Sequence, residues 1–250
     1  HFGEAELAQG LTTLVGGNCG MSLAPLAGAH APAVRSYLAP ITGAFGDELC
    51  FASLADYFAA AERTPQIVNN AMLAGMGTLR ALVAGFDDAP LTDGQYRELH
   101  RLVERSLADG AVGVSLGLGY APECFYTTEG LIRALEPLRG GRMPVTVHMR
   151  QEGDGVVDAL REMIEVARAL QGAGQGTLIL AGRPGMPVRM AAREAGLPLI
   201  DYFLRPELEC LNAVPTAEGC LELLLRLRER TIWELSLIHI SEPTRLDVIS

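Results

Sequence analysis

A chain of 250 residues is long enough for one large α/β domain or one barrel-sized unit with a sizeable core. With 49% hydrophobic and 20% charged residues and 28 glycines, its composition excludes a disordered or fibrous chain. The formal net charge of −10 leaves no basic surface to balance a phosphate backbone, which argues against nucleic acid and for small-molecule partners.

The five cysteines, Cys19, Cys50, Cys124, Cys210 and Cys220, are odd in number and contain no CxxC pair. A disulfide scaffold is not expected at this length, and a reduced, cytoplasmic compartment is. No apolar run reaches the roughly 18 residues that a membrane helix needs, so no membrane partner is expected. The chain opens at His1, not at a methionine, and its natural start is expected to lie upstream.

In chain order, GLTTLVGGNC (residues 10–19) reads as a short buried strand closed by two glycines and an asparagine. Residues 24–33, rich in Ala, Gly and Pro, read as a loop. Residues 53–63 have helical spacing with Ser53 as the cap, and residues 66–73 form a second strand before the glycine-punctuated AGMGTLR. Thr92 opens a helix whose apolar positions Tyr96, Leu99, Leu102, Val103 and Leu107 follow the 3.6-residue period up to Gly110. The strand AVGVSLGLGY follows, then a helix capped by Thr128, the strand MPVTVHMR and the helix GVVDALREMIEVARAL. GTLILAG as a strand, a helix over residues 188–195 and the strand LPLID complete the pattern. Strand and helix alternating through short loops predict an α/β fold of parallel βα units, and the repeat favours a partial TIM barrel over a doubly wound sheet. No GxGxxG or P-loop follows any strand, which removes the usual nucleotide-binding signature.

In such a barrel the chemistry gathers where strands end, and Asn18–Cys19, Tyr120 and His148 fall at predicted strand ends. Thiolate and neutral imidazole are both good zinc ligands. The plain alternative for each is structural: a strand-end cysteine is usually a small buried hydrophobe, and a single histidine a hydrogen-bonded core residue.

The surrounding segments add a resemblance. GLTTLVGGNCGMSLAPL resembles the GVTT…GNCG-S-AP segment of the N-acyl-D-amino-acid deacylases, members of the amidohydrolase superfamily. The likeness continues in order through AMLAGMGTLR, GAVGVSLGLGYAP with YTTEGLIRAL, and VTVHMRQEGDGVVDALREMIEVAR, covering about residues 7–170. It implies zinc-dependent hydrolysis of N-acyl-D-amino acids, with the family's GNCG cysteine carried onto metal ligand Cys19 and its H-x-R-x-E-G histidine onto metal ligand His148. By residue type, Arg150 could hold a substrate carboxylate through a bidentate contact, against the alternative of an ion pair with Glu152 or Asp154. Tyr120 could hydrogen-bond substrate, against a packing role at the rim.

Four family features find no match. Only His1 precedes Cys19, so the upstream H-x-H metal pair is missing, and Met76 stands where the family usually has histidine. TLILAG carries no counterpart of the family's I-S-H histidine, and no motif marks its acid/base aspartate, although Asp201 ends a strand. The catalytic residue is therefore unassigned. SLIHISEPTR resembles a translated sequencing-adapter peptide, which predicts a barrel domain over residues 1–235 and a non-native tail over 236–250 that packs poorly. The expectation is a gene fragment that is itself inactive. The rival readings are a cyclic-amide hydrolase of the same superfamily, disfavoured by GNCG and by the lack of a barrel lysine, and a fragment without catalysis.

Overall fold

The computed structural model describes residues 3–8, 10–171 and 176–227, so the 236–250 tail and His1 lie outside the described residues. A short helix α1 (Glu4–Ala8) precedes β1 (Thr13–Gly16), and two helices follow, α2 (Ala31–Thr42) and α3 (Leu54–Glu62). β2 (Asn69–Met72) and β3 (Ala74–Gly75) run on across Leu73 into α4 (Met76–Ala84) and α5 (Asp93–Ala108). Then come β4 (Val114–Gly117), α6 (Thr128–Ala134), β5 (Val145–His148) and α7 (Val156–Leu170). The described chain closes with β6 (Ile179–Ala181), α8 (Met186–Glu194), β7 (Leu199–Asp201) and α9 (Pro206–Leu227).

Among the described residues every strand pairing is parallel. β1 pairs with β2, β3 with β4, β4 with β5, and β6 with β7. β2 and β3 are nearly one strand that changes partner: the Leu73 N–H donates to Gly16 O at 2.9 Å and the Ala74 N–H to Gly113 O at 3.0 Å. The order β1, β2/β3, β4, β5 thus follows the chain, as successive βα units require. No described helix is long and apolar enough to cross a membrane.

The main core lies where α4, α5 and α6 pack around β3 and β4, with Val147 of β5 at its margin. Every residue of β4 is buried, as expected for a parallel strand flanked on both sides, and Leu116, Leu118, Leu99, Val103 and Leu131 are fully enclosed around it. The apolar stripe of α5 produces this contact, with Tyr96, Leu99 and Val103 buried and Leu102 and Leu107 packed at its margin. Its N-terminus closes through a capping box: the Gln95 N–H donates to Thr92 Oγ1 at 3.3 Å while the Thr92 N–H donates to Gln95 Oε1 at 2.8 Å. Ser53 caps α3 with its side chain, accepting from the Asp56 N–H at 3.1 Å.

Several boundaries differ from the sequence reading. Residues 31–33, read as loop, begin α2, because Pro32 fits a first helical turn where its missing N–H costs nothing. AGMGTLR is not mere punctuation but the β3–α4 junction. Thr127, not Thr128, caps α6, since its side chain accepts from the Gly130 N–H at 3.1 Å.

Candidate metal centre

The loop after β1 turns back on itself through left-handed backbone at Gly17 (φ 80°), Cys19 (φ 55°) and Gly20 (φ 74°). That conformation is uncommon for a residue with a Cβ, so Cys19 is held there by its surroundings. The holding groups come from two distant segments. The Gly20 N–H donates to Ser115 Oγ at 3.0 Å, and the Ser115 hydroxyl in turn donates to Gly17 O. From the first turn of α4, the Thr78 N–H donates to Gly20 O at 2.9 Å, while Thr78 Oγ1 accepts from the Ser22 N–H at 3.0 Å.

His148 ends β5, in register with Gly117 of β4, and its carbonyl accepts from the Leu118 N–H at 2.9 Å. The side chains of Cys19 and His148 meet: Sγ lies 3.7 Å from Nδ1. Tyr120 joins them, its hydroxyl 3.1 Å from the same Nδ1 and its ring set edge-on to the imidazole at 4.8 Å between centroids. On the far side of the ring, Nε2 lies 3.4 Å from Glu152 Oε1. A proton on Nε2 faces that carboxylate, leaving the Nδ1 lone pair toward Tyr120 and Cys19.

Arg150 does not point into this group. Its Nε and one terminal nitrogen meet Glu162 of α7 at 3.1 and 3.0 Å, and the guanidinium also donates to Cys124 O at 2.7 Å and Tyr126 O at 2.9 Å. The expected carboxylate-binding role meets a guanidinium already committed to protein acceptors. The weighed ion pair exists, but with Glu162 instead of Glu152 or Asp154, because α7 folds back beside the β5 loop. Asp201, at the end of β7, is likewise engaged, accepting from Arg189 at 2.6 Å and from the Arg183 and Phe203 N–H groups at 3.0 Å each. Met76 is wholly buried in the core.

A residue that the sequence reading passed over sits beneath the loop. Glu123 is 2% exposed, in a short 3-10 turn following Pro122. Its Oε2 accepts from the Gly117 N–H at 2.9 Å. Burial pushes its carboxyl up to about 8, against the opposing pull of the Gly117 and Gly77 N–H groups and the charge of Arg80.

The donor types suit zinc. A thiolate at about 2.3 Å and an imidazole nitrogen at about 2.0–2.1 Å, held at a tetrahedral angle, stand about 3.6 Å apart. The 3.7 Å between Sγ and Nδ1 matches that separation. Among the described residues, however, no group of three or more His, Cys, Asp or Glu is placed to hold a metal ion, so the described residues supply two such donors.

No family model matches the chain. Among characterised proteins it is 36% identical over 216 residues to a D-aminoacylase of Alcaligenes xylosoxydans xylosoxydans, a match covering 86% of this chain and 43% of that protein. It is also 35% identical over 166 residues to an N-acyl-D-aspartate deacylase of the same organism, covering 66% of this chain and 32% of the relative. Among solved structures, the crystal structure of D-aminoacylase, described as defining a novel subset of amidohydrolases, superposes with a TM-score of 0.61 at 33% identity. That match covers 77% of this chain and 41% of the other. The N-acyl-D-glutamate deacylase of Bordetella bronchiseptica, solved with zinc and a phosphonate inhibitor, gives 0.59 at 27% identity, over 77% of this chain and 41% of that one. A further D-aminoacylase structure concerns a binuclear metal centre. The chain spans less than half the length of these relatives. Agreement of sequence and backbone together assigns it to the N-acyl-D-amino-acid deacylase family of the amidohydrolases.

Proposed function

We propose that this chain carries part of a metal-dependent amidohydrolase TIM barrel whose whole hydrolyses the amide bond of a small N-acyl-D-amino acid. The observation that carries the reading is the convergence of Cys19 and His148, 129 residues apart in sequence, at a ligand-to-ligand distance suited to zinc. The relatives named for D-amino-acid deacylation supply the substrate class. Bound zinc would polarise the amide carbonyl and acidify a water molecule.

The chain's own residues prepare that chemistry. Glu152 orients the imidazole so that Nδ1 presents its lone pair, and Ser115 and Thr78 clamp the loop that presents the thiol. Tyr120, at the rim and 36% exposed, offers its hydroxyl to a substrate polar group on the open side of His148. Arg150 serves as a brace between the β5 loop and α7, not as a substrate anchor.

Zinc retention tests the reading. The purified chain, loaded with zinc and dialysed, should retain metal that Cys19→Ser and His148→Ala each weaken by at least about tenfold in affinity. Equal retention by both variants would refute it.

A further inference from the structure

Three glycines from three separate segments surround one carboxylate. A Cβ on Gly20 would lie 1.7 Å from Glu123 Oε2, and one on Gly77 would lie 2.6 Å from the same oxygen. A Cβ on Gly117 would lie 2.1 Å from Cys19 O. The Cys19 loop, the start of α4 and the end of β4 thus approach one another only because their side chains are missing, and the Glu123 carboxyl fills the space. We propose that Glu123 is a positioning residue that sets the geometry of Cys19 by tying the Gly20 turn to Gly117 and Gly77.

The anchoring is concrete. Oε2 accepts from the Gly117 N–H at 2.9 Å and lies against Gly20 and Gly77, so one oxygen is bonded to one of the three segments and packed against the other two. The other oxygen, Oε1, is buried with no hydrogen-bond partner. Glu123 also lines a cavity of about 10 Å³ together with Cys19, Gly20, Tyr37 and Tyr120, large enough for one water molecule. An acid is retained in this enclosure although an apolar side chain would avoid the desolvation cost, which is expected of a group whose acceptor oxygen is needed in place. Arg80, also buried, faces it from α4, and Tyr126 and Tyr37 are the nearby phenols. The consequence is steric and local: without the Glu123 oxygen, nothing else occupies the glycine cradle, and the left-handed turn at Cys19 loses its floor.

The inference rests on Cys19 being the residue this loop presents, so its primary test uses the metal-free chain. Alkylation of each cysteine by iodoacetamide is followed by peptide mass spectrometry, with Cys50, in the α2 region, as internal reference. Glu123→Ala should raise the Cys19-to-Cys50 rate ratio about tenfold, the effect of losing the Gly117 hydrogen bond and emptying the glycine cradle. Glu123→Gln keeps the acceptor oxygen and should restore the ratio to within about twofold of wild type, since a neutral amide of the same size accepts from the Gly117 N–H and fills the same space. Leu99→Ala, a core change on α5 that leaves the glycine cradle intact, should leave the ratio unchanged. An unchanged ratio in Glu123→Ala, or an equal rise in Leu99→Ala, overturns the proposal. Should Glu123→Ala not fold, Glu123→Asp, which withdraws the carboxyl by one methylene, should raise the ratio, and an unchanged ratio there overturns it equally. Cobalt(II) binding by the wild-type chain, read from thiolate-to-cobalt absorption, tests the metal reading separately. Its failure would remove that reading and leave the alkylation result standing.

Discussion

Glu123 should make the folded chain less stable as the pH rises. Its carboxyl titrates near 4.5 when exposed and is pushed up to about 8 by burial. Between those values the folded state holds a proton that the unfolded state has released, so stability falls with pH by about 1.4 kcal/mol per unit. The contribution is fully present below the unfolded value and lost as the pH passes the folded one. Across that window the loss amounts to a few kcal/mol, a large share of the roughly 5–15 kcal/mol that holds a domain together. Glu123→Gln removes the titration while keeping an acceptor oxygen for the Gly117 N–H. Urea unfolding of both chains at intervals from about pH 5 to pH 8 reads the effect as a shift in midpoint. The wild-type midpoint should fall faster than that of the glutamine variant. Parallel pH profiles would show that Glu123 ionises in place without penalty, and the burial argument would fail.

Arg150→Ala should destabilise the chain by roughly 1–3 kcal/mol, because it strands the half-buried Glu162 carboxylate and two carbonyls. A double-mutant cycle with Glu162→Gln should show coupling, and a stability equal to wild type would return Arg150 to a substrate role. Thr92→Ala should cost about 1 kcal/mol by opening the capping box of α5, measured by urea unfolding; no change would mean that the cap is not formed in solution. The chain by itself, with zinc added, should show no appreciable release of amino acid from N-acetyl-D-methionine, because the described residues supply two metal donors and no assigned group to pass a proton to the leaving amine. Robust turnover that disappears in Cys19→Ala would contradict this donor count.

The elements most legible in the sequence were those whose signals are local. Thr92 with Gln95, followed by an apolar stripe, needs only neighbouring residues to specify α5, and Ser53 before Asp56 does the same for α3. α2 escaped because Pro32 and Pro40 punctuate it as a loop would be, while the burial of Val34 and Leu38 against Ala81 that sustains it is a tertiary contact. The meeting of Cys19 and His148 could be anticipated because parallel strands deliver their C-terminal ends to one side. Glu123 could not, because its burial depends on Gly20, Gly77 and Gly117, which no local pattern links. An acid directly after the β4 loop and Pro122 was the available signal. The Arg150 partner was missed for a similar reason: Glu162 lies 12 residues on, a full helix segment away, whereas sequence proximity favours Glu152 and Asp154.

The central claim is that Cys19 and His148 bind one metal ion together. Zinc K-edge X-ray absorption on the zinc-loaded full chain measures this directly. The account predicts one sulfur at about 2.3 Å and at least one imidazole nitrogen at about 2.0–2.1 Å, with the remaining positions filled by oxygen. Cys19→Ser should remove the sulfur shell. A zinc shell made only of oxygen and nitrogen in the wild-type chain, or a sulfur shell that persists in Cys19→Ser, would contradict it.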